Sequence, residues 1–108
     1  MKKGKQSRHM EFGSTLRRLR HQADLGLKAV APQVKVSYTY LSKIENGHKT
    51  PSAELIERLC ELYQADSDEL ISRLGQLPSD IQRIVEVNGK AVFELLREHY
   101  PQPEPERR

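Results

Sequence analysis

The chain of 108 residues is long enough for one small domain with a core and too short for a large active site. Charged residues make up 31% and apolar residues 36%, and no apolar run approaches the roughly 20 residues that span a bilayer. No N-terminal segment has the charged-then-apolar pattern of a signal peptide, so we expect a cytoplasmic protein.

Charge is distributed unevenly along the chain. Residues 1–50 hold 11 lysines and arginines against three acids, whereas residues 51–108 hold seven against 12. The halves therefore carry +8 and −5, which sum to the formal net charge of +3. A basic N-terminal half is suited to bind a polyanion such as nucleic acid. The acidic C-terminal half would be repelled by the same polyanion.

The first third of the chain predicts a basic arm followed by two helices. Residues 1–10 carry four lysines and arginines and almost nothing apolar, which is typical of a flexible arm that follows DNA and equally of a disordered tail. An apolar stripe predicts a helix over about residues 11–23, and Gly26 opens a second over about residues 27–34. Pro32 should distort that second helix, because proline removes a backbone hydrogen bond at a cost of about 3 kcal/mol.

Residues 37–47 predict a short helix with marked ends and two different faces. Ser37 is a good N-cap, because its hydroxyl can accept a hydrogen bond from a free backbone N–H, and Gly47 can take the left-handed conformation that ends a helix. Leu41 and Ile44 fall three residues apart on one side, where they can enter a core. The other side carries hydroxyls and a cation, which can bind base edges and phosphates. These groups belong to Tyr38, Thr39, Ser42 and Lys43.

The next segment predicts two more helices of the same compact unit. A helix over about residues 53–63 has a strong apolar face, and the apolar neighbours of Cys60 predict a buried thiol. Thr50 and Ser52 are both possible N-caps for it. Asp66 followed by Glu69 has the form of a capping box and starts a fifth helix, which Gly75 ends.

These patterns predict an all-α chain, because no strand pattern competes with the helical one. Residues 11–75 form the compact unit of five helices. Residues 78–100 form an extension of one or two helices, since Asn88-Gly89 interrupts the apolar pattern. The tail at residues 101–108 has three prolines and alternating charges, and we expect it to be disordered.

Residues 12–74 resemble the helix-turn-helix DNA-binding domains of the Xre/Cro, lambda-repressor-like family. The matching positions are Phe12-Gly13, Leu16-Arg17, Leu19-Arg20, Leu27, Ala31, Val36-Ser37, the run from Tyr40 to Gly47, and Pro51-Ser52. The resemblance implies that helices 2 and 3 form the motif and that helix 3 lies in the major groove of double-stranded DNA, usually as a homodimer on a palindromic operator. We therefore expect a sequence-specific transcriptional regulator with no catalysis, no metal and no cofactor.

Carried over by position, the resemblance assigns roles to single side chains. The recognition helix, residues 37–46, offers the base-reading candidates Tyr38, Thr39, Ser42 and Lys43. Candidates for the phosphate backbone, which positions a protein without conveying sequence, are Arg17, Lys28, Ser37, Tyr40, Asn46, His48 and Lys49. Arg20 and Glu45 match the pair that ties helix 1 to the end of helix 3 in relatives, which is a structural role.

Two positions depart from the family pattern. Leu27 stands where relatives often have a glutamine that touches a phosphate, so that contact is lost or is replaced by Lys28. Lys35 stands where the turn between helices 2 and 3 usually has glycine. Lys35 must either accept a left-handed backbone, at a cost of ~1 kcal/mol, or reshape the turn.

Two other functions stay open on the sequence. An enzyme would need Cys60 or a serine as nucleophile with His21, His48 or His99 as base, but no histidine has the spacing of a metal site or a triad. An antitoxin or adaptor would bind a partner protein through residues 78–100. These residues offer more apolar surface than the core of a DNA-binding domain needs. The same residues could instead cover the core or form a homodimer, and we favour the homodimer.

Overall fold

The computed structural model describes residues 5–103, and for residues 5–9 the backbone alone. Its helices are α1 (Lys5–Gln22), α2 (Leu27–Gln33), α3 (Tyr38–Glu45), α4 (Ala53–Tyr63), α5 (Ser67–Arg73) and α6 (Ser79–His99). The described residues contain no strand, so the all-α prediction is confirmed. The expectations for residues 1–4 of the arm and 104–108 of the tail lie outside the described residues.

The first helix begins earlier than the sequence predicted. Residues 5–10 were expected to belong to a flexible arm, but the backbone is helical from Lys5 onward. Our prediction placed the start at about Glu11, directly before Phe12, the first residue of the apolar stripe. A helix that extends beyond the core needs no apolar stripe, and Lys, Gln, Arg and Met all favour helical backbone.

The core lies inside the first of two compact units, Met1–Pro78 and Ser79–Arg108. Helix α4 supplies the largest share, and its Cys60 is 1% exposed, which confirms the predicted buried thiol. Helices α1, α2, α3 and α5 close around it with side chains that are at most 5% exposed, namely Phe12, Leu16, Val30, Ala31, Leu41, Ile44, Leu70 and Ile71. Burial of this apolar surface is the main source of stability.

Side chains cap α4 and α5. Of the two candidates before α4, Ser52 is the N-cap, and its Oγ accepts from Leu55 N at 3.1 Å. Asp66 caps α5, but its carboxylate accepts from Asp68 N at 3.1 Å. The Glu69 carboxylate accepts from an arginine one turn further on. Asp66 is therefore the N-cap as predicted, but its hydrogen bond goes to Asp68 N and not to the N–H of Glu69 that a capping box uses.

Two buried ionisable groups lie in this core. Burial raises the pKa of the Cys60 thiol to about 11, and the charge of Asp66 adds to the effect. Burial likewise raises the pKa of Tyr63 to about 12, with a further contribution from Glu45. The Tyr63 hydroxyl also has no hydrogen-bond partner among the described residues.

We expect the free energy of unfolding to fall as the pH rises above 9. The folded chain holds these protons more tightly than the unfolded chain, for which the pKa values are 9.0 and 10.0. Each proton that only the unfolded chain releases lowers stability by about 1.4 kcal/mol per pH unit, until the folded pKa is reached. Urea unfolding between about pH 8 and pH 11 measures this slope. Tyr63→Phe should make the decrease of the free energy of unfolding with pH shallower at the alkaline end. A free energy of unfolding that does not change with pH in this range would contradict the prediction.

Helix α2 ends one residue after Pro32, and Val34 then leaves helical backbone with φ −105° and ψ 11°. The turn to α3 contains Lys35 at φ 61°. The lysine thus accepts the left-handed backbone that glycine would take without cost, which is the first of the two outcomes we expected.

Lys35→Gly should raise the free energy of unfolding by about 0.5–1 kcal/mol, because it removes the clash between Cβ and the backbone at positive φ. Urea unfolding measures the change. Lys35→Ala is the matched control, because it removes the same charge and stem but keeps Cβ. Equal gains in the two variants would assign the effect to the lysine side chain and not to the backbone.

The second unit consists mainly of α6, a helical segment with a kink. Asn88 has φ −121° and ψ 25°, so the backbone breaks where the sequence predicted an interruption. None of the helix's side chains is buried. Within residues 5–103, no helix is both long enough and apolar enough to cross a membrane.

Candidate nucleic-acid interface

Helices α2 and α3 form a helix-turn-helix pair in the first unit. Four residues connect them, and Val36 N donates to Ala31 O at 3.1 Å across the turn. Val30 and Ala31 of α2 are buried. Helix α3 packs against both α1 and α2, so its orientation is set from two sides.

Both ends of α3 are fixed as the sequence predicted. Ser37 Oγ accepts from Tyr40 N at 3.0 Å, which confirms the N-cap. Gly47 has φ 82° and donates to Ile44 O at 3.0 Å, which confirms the stop. Leu41 and Ile44 are 0% and 1% exposed, so one face of the helix is held in the core.

The opposite face of α3 is open to solvent. Thr39 and Lys43 are exposed, and Ser42 between them is partly exposed. Asn46, also exposed, lies one turn beyond Ser42, so the four residues share one face at helical spacing. Tyr38, at the start of the helix, is 48% exposed. The helix therefore presents hydroxyls, an amide and a cation together.

The phosphate candidates occupy different surroundings. Lys28 is exposed in the first turn of α2, and His48 and Lys49 are exposed directly after α3. Tyr40 is half-buried and packs against the core. The Ser37 hydroxyl already accepts the capping hydrogen bond. Lys28, His48 and Lys49 are thus exposed candidates whose side chains are cationic or ionisable.

A buried ion pair ties α1 to the end of α3. Arg20 Nε donates to Glu45 Oε2 at 2.8 Å, and Arg20 Nη2 donates to Glu45 Oε1 at 2.8 Å. The two residues are 7% and 2% exposed. The hydrogen bonds that Arg20 donates to Glu45 raise the pKa of Arg20 in spite of the opposing effect of burial. This two-pronged contact fixes distance and angle together.

Arg17 and Asn46 contact each other, which the sequence did not predict. Arg17 Nη2 donates to Asn46 Oδ1 at 2.6 Å, and Arg17 Nε also lies 3.4 Å from Glu45 Oε1. The available signal was spacing, since Arg17 lies one turn before Arg20 on α1 and Asn46 follows Glu45. Two phosphate candidates are therefore already bound to one another.

Gly13 permits the close crossing of α1 and the end of α3. A Cβ at this position would lie 2.7 Å from Ile44 O and closer still to Glu45 O. Real Cβ contacts are essentially never shorter than 3.0 Å, and backbone carbonyls cannot rotate away. The sequence showed this glycine only as one of the family's matching positions.

The structure gives no support to a nucleophile at Cys60. Its thiol is buried, and with a pKa of about 11 it carries almost no thiolate at neutral pH. Among the side chains that the structure describes, those of residues 10–103, no group of three or more histidine, cysteine or acidic side chains could hold a metal ion.

A family model described as a helix-turn-helix domain matches residues 11–74. ClgR, a transcriptional regulator of Mycobacterium tuberculosis, is 32% identical over 72 residues, which cover 67% of this chain and 64% of that protein. An uncharacterized HTH-type transcriptional regulator of the same species is 30% identical over 73 residues, which cover 67% of this chain and 52% of that protein. DdrOP3, an HTH-type transcriptional regulator of Deinococcus deserti, is 34% identical over 62 residues, which cover 57% of this chain and 48% of that protein.

The chain spans about half to two thirds of the length of these relatives. The matched region begins inside α1, contains α2 to α5 and ends directly after them. It covers more than half of the 108 residues and includes the capped helix with its open polar face. The chain belongs to the helix-turn-helix family.

Proposed function

We propose that the chain is a sequence-specific DNA-binding transcriptional regulator that places α3 in the major groove of double-stranded DNA. The observation that carries the proposal is the division of α3 into a face held in the core and a face of hydroxyls, amide and cation open to solvent. The basic first half of the chain and the names of its relatives support it. We propose a cytoplasmic location on the same ground, and no catalytic role.

Lys43 and Thr39 are the side chains that we assign first to base reading. Lys43 can donate to guanine O6 or N7, and Thr39 offers a hydroxyl and a methyl group, which suits thymine. Tyr38, at the edge of the face, can reach a base or the backbone. Lys28 and Lys49 can neutralise phosphates, so affinity should fall with salt by a slope of about −0.9 per phosphate contact.

Selection of bound duplexes from a random pool tests the proposal. We expect an enriched palindrome with half-sites about one helical turn apart, and no enrichment would overturn it. Lys43→Ala should then reduce the preference for that site over random DNA, by about 1–3 kcal/mol, because it removes a base contact. Lys49→Ala is the matched control, because loss of a phosphate contact should weaken both kinds of DNA alike. Equal losses of preference would contradict this division of roles.

We further propose that α6 joins two copies of the chain into the dimer that a palindrome requires. The helix exposes a stripe of large apolar side chains, which include Ile81 (36%), Ile84 (46%), Leu95 (53%) and Leu96 (48%). A unit of this size cannot bury such a stripe by itself. Two helices of this length that pair along their apolar faces bury on the order of 1,000 Å² in total, which a specific interface needs.

Sedimentation of the full chain tests the dimer. Leu95→Glu should shift the protein from dimer to monomer, because it places a charge in the apolar stripe. Val87→Glu is the matched control, since Val87 is 81% exposed and lies outside the stripe by helical spacing. A wild-type chain that sediments as a monomer would favour the alternative, an antitoxin or adaptor whose residues 78–100 bind another protein.

A further inference from the structure

A series of polar contacts joins α1 to the open face of α3. Glu45 Oε1 accepts from Arg20 Nη2 and also from Arg17 Nε, which lies 3.4 Å away. Arg17 Nη2 donates to Asn46 Oδ1 at 2.6 Å, and Asn46 Nδ2 donates to Ser42 Oγ at 3.5 Å. The series ends at a hydroxyl on the face that the proposed function places against the bases.

The chemistry of these groups gives the series a direction. A guanidinium has only donors, so the Asn46 amide must turn its oxygen toward Arg17. The amide nitrogen then faces Ser42 and has only N–H groups to offer. Ser42 Oγ therefore accepts from Asn46, and the Ser42 O–H is left to donate elsewhere.

We propose that Arg17 and Asn46 are positioning residues that make Ser42 a hydrogen-bond donor toward the DNA. This inference rests on the proposed function and specifies how one position of the site is read. A donor in the major groove pairs with guanine O6 or N7, adenine N7 or thymine O4, and it finds no acceptor on the amino group of cytosine. Arg17 and Asn46 act through Ser42 and not through the phosphate backbone.

Asn46→Asp should reverse the direction of the last contact. A carboxylate only accepts, so Asp can still pair with Arg17 but draws the O–H of Ser42 toward itself. Ser42 then presents lone pairs, and the preferred base should change to one with an amino group, cytosine or adenine. Since the contact between Asn46 and Ser42 is long, we expect a change of about threefold to tenfold in the ratio of affinities.

The experiment is competition binding of the full chain to duplexes that differ from the selected site by single base pairs. It compares the wild type with Asn46→Asp, Ser42→Ala and the double variant. We expect Asn46→Asp to change the preference at one base pair of each half-site, and to change nothing there when position 42 is alanine. His48→Asp is the matched control, because it adds the same negative charge two residues further on and should weaken all duplexes alike.

Arg17→Met tests the upstream contact. Without the guanidinium the Asn46 amide can turn either way, so the preference at the Ser42 base pair should weaken without reversing. The salt dependence should keep the wild-type slope, whereas loss of a phosphate contact would reduce it by about one. A reduced slope would return Arg17 to the phosphate contacts and overturn its positioning role.

Failure of this inference and failure of the proposed function give different results. A wild type that enriches no sequence removes the proposed function, and the inference falls with it. A wild type that selects a site, together with an Asn46→Asp variant of unchanged base preference, overturns the inference alone. The same holds if the changed preference persists in the Ser42→Ala background.

Discussion

Glu45→Ala should lower the free energy of unfolding by about 3–5 kcal/mol, because it leaves Arg20 buried without its partner. Arg20 is 7% exposed and donates twice to the Glu45 carboxylate. Its remaining hydrogen bond, from Nη1 to Leu25 O at 3.0 Å, does not neutralise the charge. The whole free energy of unfolding of a small domain is about 5–15 kcal/mol, so this variant should be close to unfolding.

Urea unfolding followed by circular dichroism measures this loss, and the chain offers a matched control. Glu69→Ala removes the same side chain from an ion pair that is 3.5 Å long and exposed on both sides. Exposed pairs of this kind contribute about 0.2–1 kcal/mol or less. Equal losses for the two variants would mean that Glu45 and Arg20 do not act as a buried pair.

A double variant separates stability from orientation. Arg20→Met with Glu45→Leu leaves no buried charge, and such replacements are often neutral or stabilising. We expect it to recover most of the stability that Glu45→Ala loses. Under the proposed function it should nonetheless bind its site less selectively, because the two-pronged contact no longer fixes the angle of α3. Full selectivity would show that apolar packing alone sets that angle.

The sequence was sufficient to predict features that depend on neighbouring residues. Ser37 and Gly47 act at the two ends of one helix, and Asn88 breaks the backbone of α6, because capping and helix breaking are local effects. The left-handed backbone of Lys35 could be stated as one of two outcomes, since the choice between strain and a reshaped turn depends on how α2 and α3 pack.

Features that depend on two distant segments were not predictable in the same way. The contact between Arg17 and Asn46 joins residues 29 positions apart, and its only signal in the sequence is that each residue lies beside a member of the Arg20–Glu45 pair. The family resemblance suggested phosphate roles for both residues, because it compares positions and not contacts. The early start of α1 was missed for a different reason: residues 5–10 have helix propensity but no apolar stripe.

Gly13→Ala should destabilise the protein by about 2–3 kcal/mol, although alanine favours a helix interior over glycine by about 1 kcal/mol. The added Cβ would lie 2.7 Å from Ile44 O, and the carbonyl of Glu45 is nearer still. Both obstacles are backbone atoms at the end of α3, so relief requires that α1 and α3 separate. The loss from overpacking therefore exceeds the gain from helix propensity.

Gly26→Ala is the matched control, because a Cβ there meets no atom within 4 Å and the backbone φ of −93° suits any residue. It should cost less than about 1 kcal/mol, the usual effect of placing alanine at an N-cap. Urea unfolding compares the two, and a Gly13→Ala variant as stable as the wild type would refute the close crossing. The crossing also bears on the proposed function, since α1 contacts α3 at the residues that precede Asn46. A shift there should reduce selective DNA binding even at temperatures where the variant is fully folded.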